Sequence, residues 1–117
     1  MDSSNYESLD ERTFKFAQRI RSFVKRLPRT IANIEDIRQL VRSSGSIAAN
    51  YIEANESLSK KDFVMRIKIS RKESKESRLW LKLLEVADKD QEDERLSLIQ
   101  ESSEFIKIFS SIVSKSS

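Results

Sequence analysis

A chain of 117 residues is the size of one domain, here 1–117, expected to bury about two-thirds of its unfolded surface around a single core. Charged residues make up 35% and hydrophobic ones 38%, with one Gly and one Pro, so long helices fit and strands joined by tight turns do not: the expected class is all-α. The chain has no Cys and no His, which removes disulfides, thiolate and imidazole metal sites and the usual base near neutral pH, so the reading is non-enzymatic, without cofactor or metal.

The opening segment, MDSSNYESLDER, is acidic and polar, and no run of about 18 apolar residues follows it anywhere. Neither a signal peptide nor a membrane contact is expected, and the expected location is the cytoplasm. The first helix is predicted over about 9–27, where Pro28 stops it; Phe16, Ile20, Phe23, Val24 and Leu27 recur at the spacing of one buried face. Thr30 is a good N-cap for a second helix over 30–56, expected to bury Ile34, Ile37, Val41, Ser44, Ala48 and Tyr51. Gly45 inside it is either tolerated at a cost of about 1 kcal/mol or marks close approach of another helix.

Ser59 followed by Asp62 reads as a capping box, with Asp in place of Glu, opening a third helix over 59–87. Its register, Phe63, Ile67, Ser70, Ser74, Ser77, Leu81 and Leu84, keeps heptad spacing but turns to serine in the middle, a narrow seam that lets neighbours approach. The polar break Asp88 to Asp93 leads to a fourth helix over 94–114. Two apolar stripes run along it, Leu96, Ile99, Ile106, Val113 and Leu98, Phe105, Phe109, Ile112. One monomer core is expected to cover only one of them, which points to self-association.

Arg42, Ser46, Asn50 and Glu53 line one side of the second helix at spacings of 4, 4 and 3. If the second and third helices form a hairpin turning at Leu58, residue k lies about opposite 116 − k, so Arg42 meets Ser74 and Glu73, and Asn50 lies near Arg66. Glu73, Glu76 and Trp80 form the matching stripe. Buried charges persist only when paired and hydrogen-bonded, so Arg42, Ser46, Asn50, Glu53, Glu73 and Glu76 are read as an interhelical polar network. A ligand or catalytic site built from the same carboxylates, or a plain solvated face, are the rival readings.

The stretches RSSGSIAANYIEANESLSKKDF and KISRKESKESRLWLKLLE, together densest from Ile37 to Glu85, resemble the bacterial four-helix-bundle family of proteins encoded in intervening sequences of 23S rRNA genes. The pattern falls on Arg42, Ser43, Ser46, Ala49, Asn50, Tyr51, Glu53 and Ala54, and on Lys61, Asp62, Phe63, Lys72, Glu73, Glu76, Trp80 and Leu81. Ser74, Ser77 and Gly45 depart from it, which touches local packing only. The resemblance implies an antiparallel up-and-down four-helix bundle assembled as a ring, with a homopentamer as the expected form. It also extends to accessory proteins of diversity-generating retroelements, basic pentameric barrels that work with nucleic acid and a reverse transcriptase, which suggests a nucleic-acid-processing protein as a further partner. The fold follows from such a likeness more firmly than the function.

Charge is segregated along the chain. Between Arg12 and Arg29 stand seven basic residues and no acidic one; Lys60 to Lys82 holds nine basic against three acidic, and Glu85 to Glu104 eight acidic against two basic. Phosphate contact by RNA or DNA with little sequence preference is therefore expected on the first helix, through Arg12, Lys15, Arg19, Lys25, Arg26 and Arg29. The alternative is a protein–protein scaffold in which the same charges neutralise the acidic segment across a subunit boundary.

Overall fold

The computed structural model describes residues 7–116, which form four helices: α1 Leu9–Val24, α2 Ile31–Asn55, α3 Lys60–Leu83 and α4 Lys89–Ser116. Among the described residues there is no strand. Each of the first three helices opens on a hydroxyl cap, Ser8 and the expected Thr30 and Ser59, whose side chains accept from the amides of Glu11, Asn33 and Asp62. α2 packs against α1 on one side and α3 on the other. α4 packs extensively on α3 and only lightly on α1, so α1 and α3 are diagonal to each other. Hydrogen-bonded partners on α3 retreat as residues advance along α2: Ser43 meets Ser77, the Ile47 carbonyl accepts from Ser70, and Asn50 accepts from Arg66.

The core holds Phe16, Ile20, Phe23, Leu27, Leu40, Ile47, Ile67, Leu81, Leu98, Phe105 and Phe109. The Phe16 ring meets Phe105 edge-on at 5.4 Å, and Phe105 leans toward Phe109 at 6.2 Å. The face expected of the first helix is buried throughout, as is the serine seam: Ser70, Ser74 and Ser77 are fully covered, with Ser43 of α2 at 2.8 Å from Ser77. Each buried hydroxyl is satisfied, Ser70 donating to the Ile47 carbonyl and Ser74 to that of Ser70, so small side chains bring α2 and α3 close without stranding a polar atom.

Five expectations need correction. α2 buries Asn33, Leu40, Ser43, Ser44, Ile47 and Ala54, whereas Ile34 is exposed and Ala48 half-buried. The helix is rotated by about one residue because its tightest contact is made through Ser43, and because Asn33, polar by sequence, is fully buried. α1 ends at Val24, short of 27: Lys25 and Arg26 form a turn, and Pro28 disfavours helical backbone at Leu27. α3 ends at Leu83, short of 87, where Leu84 takes extended backbone and Glu85 is captured by Asn33.

α4 begins at Lys89, and the supposed polar linker is its first turns. Asp88 caps it by accepting from the Gln91 amide, while Gln91, itself buried, accepts from the Ala87 amide and donates to the Arg26 carbonyl. The two stripes of α4 do not need a second molecule to the extent expected. Leu98, Phe105 and Phe109 are fully buried, and Ile99, Ile112 and Val113 pack partly on the same core, because α4 lies between α3 and α1. Leu96 remains half exposed.

Candidate nucleic-acid interface and interhelical polar network

The α2–α3 network forms largely as the hairpin geometry dictates. Arg42 forks onto Glu73 with both contacts at 3.4 Å and reaches Glu76 at 3.1 Å. Ser46 donates to Glu73 at 3.3 Å, Asn50 donates to the Ser46 hydroxyl at 3.0 Å, and Asn50 accepts from Arg66 at 3.1 Å. One chain of polar contacts thus runs from Glu76 through Arg42, Glu73, Ser46 and Asn50 to Arg66. The Glu73 side chain is 7% exposed and that of Arg42 52%, so the carboxylate is sunk between helices and the guanidinium closes over it from solvent. Glu53 is exposed near the end of the hairpin, and its side chain joins none of these contacts. Trp80, on the same stripe, buries an indole N–H that has no acceptor, the one such side-chain atom among the described residues.

The six basic residues expected to meet phosphates, on α1 and just beyond its end, divide into two groups. Arg12 bonds Glu101 at 2.7 Å and Glu104 at 2.9 Å on α4, with its guanidinium 5.5 Å from the Phe105 ring centre. The hydrogen bond to Glu101 chiefly holds Arg12 above its ordinary pKa; Glu104 is held below the usual carboxylate range by donation from Gln100 first and Arg12 second. Arg19 bonds Glu94 at 3.1 Å and the Ser97 hydroxyl at 2.8 Å. Lys15 pairs with Glu7, mainly through a hydrogen bond that raises its pKa. Lys25, Arg26 and Arg29 are exposed and form no ion pair among the described residues.

Half of the expected strip is therefore already neutralised within the subunit. Arg26 is exposed in the turn after α1, whereas Arg19 leans across to α4. Sequence reasoning missed Asn33 and Gln91, which join the loops at one end of the bundle. Asn33 donates to the carbonyls of Pro28 and Glu85 and accepts from the Glu85 amide, each at 2.9 Å. The only sequence signal was that both lie three residues after a helix cap.

Among the described residues no group of three or more His, Cys, Asp or Glu stands where it could hold a metal ion, and no helix is long and apolar enough to cross a membrane. A family profile for the 23S rRNA-intervening sequence protein matches residues 9–111. A crystal structure of a protein with unknown function from the S23 ribosomal protein family, from Bacteroides thetaiotaomicron VPI-5482, is similar at 30% identity and a TM-score of 0.76, over 91% of this chain and 98% of that one. No curated protein matches.

Proposed function

This chain belongs to the 23S rRNA-intervening sequence protein family, and we propose that it is a non-enzymatic cytoplasmic protein, a homo-oligomeric ring of antiparallel up-and-down bundles, that binds nucleic acid. The expected ring is a pentamer and the expected ligand RNA, held through basic helix surfaces with little sequence preference. The observation that carries this reading is the exposed, unpaired cluster of Lys25, Arg26 and Arg29 at the C-terminal end of α1. Those charges remain available to phosphates after Glu94, Glu101 and Glu104 of α4 have been matched with Arg12 and Arg19. The family's name refers to 23S rRNA and that of its structural relative to a ribosomal protein family, which makes ribosomal RNA the first ligand to test.

The second reading, a protein–protein scaffold, gains only from what the phosphate reading loses, since these ion pairs lie within the subunit and not across a subunit boundary. Arg12 and Arg19 hold helices together and are poor candidates for phosphate contact.

Polarisation titrations with a ribosomal RNA fragment and a random RNA, at two salt concentrations, test the proposal. Affinity should fall steeply with salt and differ little between the two RNAs. Reversing Lys25, Arg26 and Arg29 to Glu should weaken binding without unfolding the chain. Absence of binding at low salt would leave the scaffold reading standing. Arg19 is unsuitable for charge reversal, since a Glu there would face Glu94.

A further inference from the structure

The surplus positive charge of this molecule is concentrated on α3. Its outward stripe reads Lys61, Met65, Lys68, Lys72, Lys75, Leu79 and Lys82, at alternating steps of 4 and 3. That is the period of one helix face, and all seven residues are exposed. None of the five lysines forms an ion pair among the described residues. From Lys61 to Lys82 the stripe runs about 32 Å at about 1.5 Å per residue.

Neighbouring groups leave it uncompensated. Three carboxylates of α4, Glu94, Glu101 and Glu104, bond arginines of α1, and Glu92 at the C-terminal end of α3 is taken up by Arg95, which itself reaches the Leu81 and Lys82 carbonyls. On its α3 side α4 offers hydroxyls, with Arg71 donating to Ser110 at 3.5 Å and Arg78 to Ser103 at 3.2 Å, so these two guanidiniums add charge beside the lysines. Glu73 and Glu76 are drawn to the α2 side by Arg42. Asp62 stands at the N-terminal end only.

We infer that the outward face of α3 is a docking surface for the phosphate backbone of a nucleic-acid duplex. This rests on the nucleic-acid reading above and moves its main contact surface from α1 to α3. A straight row of point charges about 32 Å long matches roughly one turn of duplex. The stripe's apolar members are aliphatic, and no aromatic ring stands in it on which unpaired bases would stack, so it suits a duplex backbone better than a single strand. RNA and DNA duplexes share this chemistry.

The test is a polarisation titration of the full chain with 30-base-pair RNA and DNA duplexes of random sequence, and with the corresponding single strands, across a salt series. Five phosphate contacts predict a log–log salt slope near about −4.5 per bound face. Replacing Lys68, Lys72 and Lys75 with Ala, which suits a helix, should flatten that slope by about 2.7 and lower duplex affinity at least tenfold. If the triple variant binds duplex as the parent does, while Lys25, Arg26 and Arg29 substitutions weaken it, the assignment to α3 is overturned and the α1 surface stands. Tighter binding of single strands, or a changed sedimentation coefficient of the triple variant, overturns it as well, the latter making the stripe a face between copies. No binding of any nucleic acid by the parent chain overturns both.

Discussion

Glu73 shows how the polar network acts at the scale of one residue. A carboxylate nearly closed off from water depends on its partners, here the Arg42 fork and the Ser46 hydroxyl. Arg42→Ala is expected to destabilise the chain by about 1–3 kcal/mol in urea unfolding, because it strands Glu73. Glu73→Gln in the same chain should recover much of that loss, and strictly additive losses would show that the pair is not coupled. Glu76 is far more open, so Glu76→Ala should cost no more than about 0.5 kcal/mol. This network was readable in advance because a hairpin fixes which residues face each other, and Arg42, Ser46, Asn50, Glu73 and Glu76 all fell within a turn of their partners. Glu53 did not join them, since it lies near the hairpin end where solvent competes for the carboxylate. Asn33 was invisible for the opposite reason. Its three bonds reach backbone groups of Pro28 and Glu85, and backbone partners leave no mark in side-chain patterns. Asn33→Ala should cost about 2–3 kcal/mol, read from the same unfolding curves.

Between elements, the weak seam is α1 against α4. α1 is tied to α4 mainly by the Phe16–Phe105 contact and the two arginine clasps, Arg12 on Glu101 and Glu104, and Arg19 on Glu94. Glu104 has its folded pKa lowered, so its contribution to stability is complete above the ordinary carboxylate value of about 4.3 and is lost as pH falls through the lower folded value. Melting temperature should therefore drop below about pH 4, and α1 amides should lose hydrogen-exchange protection before those of α2 and α3. An Arg12→Ala chain should show a smaller drop between pH 6 and pH 3, because part of the acid-labile clasp is already gone. Helix existence and the α1 and α3 core faces were legible from apolar period, whereas the α3–α4 boundary was not. Asp88 to Asp93 looks like a linker by composition, yet acidic residues are favoured in a first helical turn, and Asp88 and Gln91 cap it. Gly45 resolves toward tolerance: the nearest atom to a Cβ built there is the Arg21 Nη2 at 3.2 Å, the far end of a flexible side chain. Gly45→Ala should thus raise subunit stability by about 0.5–1 kcal/mol.

For the whole molecule, the apolar surface left over bears on the ring. The fourth helix first suggested self-association, but α4 spends one whole stripe, with Ile99 and Val113 of the other, on its own core, so Phe109→Glu should unfold the subunit instead of dissociating a ring. The surplus lies elsewhere. Phe14 and Ile52, each 58% exposed, flank an open groove of about 330 Å³ between α1 and α2, floored by Ala17, Gly45, Ala48 and Ala49. On the far side of the bundle Leu83 of α3 and Leu96 of α4 are also half exposed. Two unlike apolar patches on different faces are what a head-to-tail contact requires, and such contacts close into rings when the rotation permits. If such contacts build the proposed pentamer, whose subunit number rests on the family resemblance, sedimentation velocity at micromolar concentration should show a closed oligomer of five subunits. Phe14→Glu and Ile52→Glu should each shift it toward monomer while leaving subunit stability within about 0.5 kcal/mol, because neither side chain belongs to the core. In that assembly Gly45→Ala becomes diagnostic: a residue that stabilises the isolated subunit but weakens the oligomer would place a neighbour's side chain in the groove. A parent chain that sediments as a monomer would refute the ring, and an oligomer indifferent to Phe14 and Ile52 would place its contacts on another face.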